Sequence, residues 1–255
     1  MKPNLWSGLF VALVASASLV MFLWPLVLTS QDANQSTIAQ ALFIALMPTL
    51  LVLLLVEYTS GKLDSRRLAI LGVLISINAV IRLLGAGVSG IETAFFLIVI
   101  GGYVFGSGFG FILGAGSLLV SALLGAGVGP WLPFQMMAAG LVGIGAGALH
   151  KVTSKQPLVL MSVYGVIASF AYGALMTMWN WPYLAGLGSS LSFVPGAPIT
   201  ENLVQFFRYE LFTGGLAWDL GRAVTTVALI CLTGKTLLAT LNRAANRAVF
   251  DESAN

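Results

Sequence analysis

The sequence predicts an all-α membrane protein of eight spans, and three observations carry that prediction. Apolar side chains make up 58% of the chain and charged ones only 8%, where a soluble domain carries about 25% charged residues. Apolar segments recur at about 7–28, 38–58, 68–86, 90–106, 109–126, 131–150, 157–178 and 207–235, most of them near the ~20 residues a helix needs to cross a bilayer. Basic residues then alternate between the connections. Lys2, Lys62, Arg66, Arg67, Lys151, Lys155, Lys235, Arg243 and Arg247 fall on one side, and the opposite loops carry no lysine or arginine. By the positive-inside rule both termini are expected in the cytoplasm, which requires an even number of spans.

The first apolar run resembles a secretory signal in its Lys2 and Ala15-Ser16-Ala17. It continues from Leu5 to Leu28, however, whereas a signal h-region covers about 7–15 residues. It is expected to stay as a span. The third segment carries Asn78 and Arg82 in its outer half, four apart and therefore on one helix face. Lower down, Gly72 and Ser76 form a small-xxx-small pair flanked by Ala69 and Ala79, a candidate docking surface for another membrane protein. The fourth and fifth segments are short and divide at Gly106-Ser107-Gly108, with Glu92 opening the fourth. Glycine permits so tight a reversal because positive φ costs it nothing. Gly110, Gly114, Gly140, Gly143, Gly145 and Gly147 offer small faces for close helix approach.

Gly129-Pro130-Trp131-Leu132-Pro133-Phe134-Gln135 opens the sixth segment and places Gln135 one turn below Trp131. Asn180 closes the seventh. The connection at 179–205 is the longest, with Trp179, Trp181, Tyr183, Pro182, Pro195 and Pro198. Its aromatics suit an interfacial belt, and its length and prolines suit a lid over a site; spacing does not choose between them. The last segment carries Arg208, Glu210, Asp219 and Arg222, the final two on one face. Intramembrane charges normally face a bundle interior or a wet cavity.

Every deep polar group in this scheme falls in the outer half of the bundle. A channel or self-contained transporter would need polar groups along a pathway or near the midplane. The asymmetry therefore favours a receptor open to the outside, with Asn78, Arg82, Glu92, Trp131, Gln135, Trp179, Asn180, Arg208, Glu210, Asp219 and Arg222 as expected solute contacts. Purely structural ion pairs, Arg82–Glu92 and Asp219–Arg222, are the competing reading. A scaffold subunit without ligand would carry the same pairs.

Several chemical motifs fail in context. Gly85-Ala86-Gly87-Val88-Ser89-Gly90 matches a dinucleotide fingerprint but lies between apolar segments rather than in a βαβ unit. Gly234-Lys235-Thr236 lacks the glycine a Walker A loop needs five positions earlier, where Leu229 stands. No ATPase is expected in this chain, and no cofactor of its own. His150 is the only histidine and Cys231 the only cysteine, so a metal site and a disulfide are not expected. Catalytic residues are not expected either, because Glu57 and Asp64 lie on the inner side and Glu92, Glu210 and Asp219 on the outer. An intramembrane enzyme using Asp219 or Glu210 as acid or base is the rival from another class.

Taken together, these residues resemble the membrane-embedded substrate-binding component (S component) of energy-coupling factor (ECF) vitamin transporters. The resemblance runs from 68 to about 241 and rests on the Asn78/Arg82 span, the glycine-rich G-G-Y-V-F-G-S-G-F-G-F-I-L-G-A at 101–115, G-P-W-L-P-F-Q at 129–135, the aromatic outer loop and the polar last helix. It implies a six-helix S-component-like bundle at 68–241, preceded by a two-helix extension at 1–67 and followed by a basic, then acidic cytoplasmic tail at 242–255. It also implies a bacterial-type cytoplasmic membrane, a coupling (T) membrane component docked on Ala69, Gly72, Ser76 and Ala79, and two cytoplasmic ATPases that hydrolyse ATP for uptake. W-D-L-G-R-A at 218–223 together with the 129–135 loop is most similar to the corrinoid (cobalamin) group.

Overall fold

In the computed structural model, residues 5–27, 45–56, 59, 65–85, 91–149, 152, 154–184, 190–194 and 196–252 are described. Expectations placed on Lys2, Glu57, Lys62, Asp64, residues 86–90, His150, Lys151 and Pro195 lie outside them. All regular structure among the described residues is helical. In chain order the helices are α1 (Leu5–Phe22), α2 (Trp24–Val27), α3 (Ala45–Val56), α4 (Ser65–Gly85), α5 (Phe95–Phe105), α6 (Ser107–Ser121), α7 (Leu132–Ala148), α8 (Pro157–Leu184), α9 (Ile199–Phe212) and α10 (Gly215–Glu252). A π-helical turn at Ala122–Ala126 extends α6.

Four helices are long and apolar enough to cross a membrane: Ser65–Gly85, Ser107–Ala126, Pro157–Pro182 and Gly215–Asn246. Four shorter apolar ones accompany them, Val11–Phe22, Ala45–Val56, Phe95–Phe105 and Leu132–Ala148. α5 is the extreme case. Its 11 residues rise roughly 17 Å, about half of a ~30 Å hydrocarbon layer. It is nearly all buried within the bundle, so its apolar character reflects protein neighbours as much as lipid.

The reversal expected at Gly106 is present. Gly106 has φ 92°, its N–H caps α5 by bonding the Gly102 carbonyl at 2.8 Å, and α6 begins at the next residue. α5, α6 and α7 then pack backbone to backbone. A methyl on Gly110 would overlap the Gly143 carbonyl, and one on Gly143 the Gly110 carbonyl. Gly114 sits equally tightly against the Ala139 carbonyl and Gly147 against the Ser107 nitrogen. Gly140 and Gly145 serve differently, making room for the Phe111 ring and the Tyr164 hydroxyl. That hydroxyl donates to the Val142 carbonyl at 2.6 Å.

The last apolar segment departs from expectation. It does not begin at 207, because Gly214 at φ 87° breaks the helix. The Thr213 N–H closes α9 on the Tyr209 carbonyl at 2.9 Å, and the Gly214 carbonyl accepts the first bonds of α10 from Ala217 and Trp218. Arg208 and Glu210 thus belong to a separate amphipathic helix. The neighbouring loop is also shorter than expected: α8 continues to Leu184 with Pro182 inside its last turn, so Trp179, Asn180 and Trp181 are helical. α10 runs unbroken through residue 242, where a separate tail was expected to start.

α1 and α2 pack on the C-terminal half of α8. Trp24 Nε1 donates to the Trp179 carbonyl at 3.1 Å, and Phe22 meets Phe134 edge to face at 5.6 Å. The close α6–α7 seam yields a stability test. Gly143→Ala should destabilise the detergent-purified chain by about 1–3 kcal/mol through overpacking. Gly72→Ala, where nothing lies within 4 Å of the added methyl, should be neutral to stabilising by up to about 1 kcal/mol, the helix-propensity gain of alanine over glycine. Equal behaviour of the two would contradict the backbone-contact assignment.

Candidate functional site

Two ion pairs stand at the same level of the bundle, where the end of α4 meets the start of α5. Glu92 precedes α5, and its Oε1 accepts from the Ala94 N–H at 3.3 Å. Thr93 Oγ1 donates to the Ile81 carbonyl at 2.7 Å and ties that turn to α4. Glu92 Oε2 lies 3.5 Å from Arg82 Nε, and Arg82 Nη1 donates to Ser121 Oγ of α6 at 2.9 Å. The side chains of Arg82 and Glu92 are 14% and 20% exposed, so this pair retains some contact with solvent.

The second pair is deeper in protein. Arg222 Nη1 donates to Asp219 Oδ1 at 2.5 Å and to the Ser169 carbonyl of α8 at 3.0 Å. The guanidinium also lies 4.9 Å from the Tyr172 ring centre and 5.6 Å from that of Phe95, within cation–π range of both. Those two rings meet edge to face at 5.0 Å. The Asp219 carboxylate is seated against Gly173, where a methyl would overlap it. The charges of Arg222, Glu92, Arg82 and Asp219 all reach Tyr172. α4, α5, α8 and α10 therefore converge on one polar cluster.

Glu210 approaches that cluster from α9. It is 4% exposed and seated against Gly215, and neither carboxylate oxygen has a hydrogen-bond partner of good geometry. Burial pushes its carboxyl above the ordinary carboxylate range, and Asp219 adds to that; the Thr177 hydroxyl and Arg222 act in the opposite direction. α9 itself is three-sided. Asn202, Phe206 and Glu210 face the bundle, Val204, Phe207 and Leu211 are exposed apolar residues, and Glu201 and Arg208 form an exposed charged stripe.

The expected contacts divide accordingly. Arg82, Glu92, Asp219 and Arg222 are brought together, with Glu210 beside them. Asn78 lies one turn below Arg82, fully buried. Trp179 is 7% exposed and stacks on Phe134 at 4.0 Å with 7° between the rings. Trp181 is fully buried against Phe193 and Phe206, and its Nε1 donates to the Leu191 carbonyl at 2.8 Å. Neither indole suits the interfacial-belt reading, because both are enclosed by protein. Trp131 is 41% exposed and Gln135 and Asn180 are half-buried. Arg208 is exposed and stands apart from the cluster on its own face of α9.

Sequence reasoning missed Phe95, Ser121, Ser169 and Tyr172. Tyr172 had a signal, as a phenol within an apolar segment. Ser169 had none, because it contributes a backbone carbonyl. An open groove of about 370 Å³ between α8 and α10 is lined by apolar side chains, among them Val166, Phe170, Leu220 and Val224. It contains none of the charged cluster. On α4, Ala69, Gly72 and Ser76 are exposed on one side, with Ser76 Oγ donating to the Gly72 carbonyl at 2.9 Å. Ala79 is fully buried and does not belong to that surface.

A family model described as ECF transporter, substrate-specific component, matches residues 66–238, more than half of the chain. No curated protein and no solved structure matches.

Arg222 makes a direct prediction about stability. Asp219→Ala leaves a buried guanidinium uncompensated and should cost about 3–5 kcal/mol. Asp219→Leu combined with Arg222→Met removes both charges and should unfold close to the wild type. Thermal or denaturant unfolding in detergent compares them; a double variant worse than the single would refute the compensated-charge account.

Proposed function

The chain belongs to the family of ECF transporter substrate-specific components, and from that premise we propose that it captures a vitamin-like solute at the outer face of a bacterial-type cytoplasmic membrane. The family makes it a multi-pass membrane protein and a substrate-binding subunit rather than an enzyme. The observation that supports the position of the solute is the convergence of Arg82 from α4, Glu92 from the turn before α5, Glu210 from α9, and Asp219 and Arg222 from α10 onto one level of an otherwise apolar bundle. Charges in such surroundings default to function, and these already hold their geometry, so a polar solute meets donors and acceptors that need little reorganisation.

In this reading Asn78, Trp131, Gln135, Trp179 and Asn180 complete the contacts around the charged cluster, and Arg208 guides polar solutes at the rim. A corrinoid is the favoured solute. The resemblance of W-D-L-G-R-A to that group supports it, as does the mixture of cationic, anionic and aromatic groups. Uptake depends on a coupling membrane component and two cytoplasmic ATPases, with ATP hydrolysed by those partners. The exposed Ala69, Gly72 and Ser76 surface supports docking of the coupling component, since small residues let helix backbones approach. Residues 1–67 form an extension to a 68–241 core, residues 242–255 a tail, and both termini face the cytoplasm.

Two measurements test this. In thermal-shift assays against cyanocobalamin and a vitamin panel, the wild type should be stabilised by about 2.7 kcal/mol at a hundredfold excess over Kd. The Asp219→Leu/Arg222→Met double variant should keep its fold and lose the shift; retention of the full shift would remove the charged cluster from the solute site. Gly72→Leu should abolish co-purification with the coupling component and ATPases while leaving solute binding intact. Unimpaired assembly would dismiss the α4 surface.

A further inference from the structure

One face of α8 meets α9 and α10 in turn. Trp181, Thr177, Gly173 and Ser169 are four apart and share that face. Phe206 packs on Trp181 at 5.5 Å, Glu210 approaches Thr177, Asp219 rests against Gly173, and Arg222 bonds the Ser169 carbonyl. α9 therefore runs antiparallel to the last turns of α8 and lies over the end of the charged cluster, with Glu210 next in line after Asp219.

α9 is held differently from the helices around it. What fastens it is a small core of Phe206, Met178 and Trp181, separate from the main one, together with the Asn202 bonds to the Val194 backbone. Val204, Phe207, Leu211 and Phe212 of the same helix are exposed. Its junction with α10 is Gly214, at φ 87°. Nothing lies within 4 Å of where a side chain on Gly214 would begin, so the backbone there turns without meeting a neighbour. A short helix on a satellite core, with an unpacked glycine at one end, opens at lower free energy than the bundle beneath it.

The fastening also includes a titratable group. Glu210 is faced by Thr177 from α8 and by Asp219, Arg222 and Gly215 from α10, with Tyr209 its neighbour on α9. Arg222 is already engaged by Asp219 and the Ser169 carbonyl, so the docked Glu210 has no counter-charge of its own. Burial, with the Asp219 charge added, raises its carboxyl above the ordinary range, and the neutral acid is the form that fits there. We propose that α9 is a gate over the charged cluster, turning on Gly214 and latched by the neutral form of Glu210, so that it closes in acid and opens as the pH rises. A carboxyl that binds its proton more tightly docked than free favours docking fully below its ordinary value. That contribution is lost as the pH climbs through the docked value. Entry of solute beneath α9 rests on the capture reading above; the gate itself does not.

Amide hydrogen exchange of the full chain in detergent, without solute, tests this, with each rate corrected for the intrinsic pH dependence of exchange. From about pH 5 to about pH 8, above the ordinary carboxylate range, protection of residues 203–212 should fall by about tenfold or more. Protection of 165–175 on α8 and 216–226 on α10 should stay constant. Glu210→Gln, which cannot ionise, should keep the acid level of protection throughout. Phe206→Ala removes the ring that seats α9 and should lower protection of 203–212 about tenfold already at pH 5, leaving α10 unchanged. Protection of α9 that ignores pH, or wild-type pH dependence in Glu210→Gln, would overturn the latch. Exchange of α9 and the first turns of α10 as one unit would overturn the pivot, as would loss of protection throughout the bundle in Phe206→Ala. Because no solute is present, a failed vitamin screen removes the capture proposal alone and leaves these outcomes to decide the gate.

Discussion

A guanidinium enclosed by apolar helices has to be neutralised within the protein, and the way Arg222 meets that requirement organises the bundle. Its charge is shared among the Asp219 carboxylate, the Ser169 carbonyl and the faces of Phe95 and Tyr172. These come from α10, α8 and α5, so one side chain fixes the mutual rotation of three helices. Asp219 reaches its position only because residue 173 lacks a side chain. The pair is thus sensitive to a methyl on a helix that carries no charge itself. Whether such pairs add net stability is a separate matter, since desolvation opposes the Coulombic gain; what they supply here is a defined geometry.

The opposite side of the bundle is held by a different force. α5, α6 and α7 meet through glycines whose backbones touch, and dispersion and close packing replace electrostatics there. A rigid three-helix wall results, against which α4 and α8 present polar side chains. Lipid offers no driving force to separate or join apolar helices, so packing of this kind decides which surfaces stay together. On the exposed small-residue side of α4, nothing among the described residues lies within 4 Å of a methyl added at Gly72.

α9 shows how a break in the chain changes the surroundings of its side chains without changing composition. Residues 199–212 and 215–252 carry enough apolar side chains to read as one continuous feature near 207. Gly214 separates them, turning Glu210 inward against Gly215 and leaving Arg208 on an exposed stripe. Two charges two residues apart therefore have opposite environments. The neighbouring loop is pinned in the same region. Asn202 bonds the Val194 backbone at both N–H and carbonyl, each at 3.0 Å, and Trp181 and Phe206 form a small core beneath it.

Much of the architecture was legible in the one-dimensional pattern. Helical class, most of the apolar segments, the reversal at Gly106, the close-approach glycines and the placing of Asp219 and Arg222 on one helix face follow from local properties: hydropathy, backbone freedom and spacing along a helix. Those properties act over a few residues, so sequence alone determined them. Three-dimensional packing decided the rest. It enclosed Trp179 and Trp181 in protein, removed Ala79 from the exposed side of α4, set Arg208 apart from Glu210, and brought the Ser169 carbonyl and the Tyr172 ring onto Arg222. Each of these depends on which helix lies alongside and at what rotation, a quantity set by contacts between residues far apart in the chain, and no local pattern encodes it.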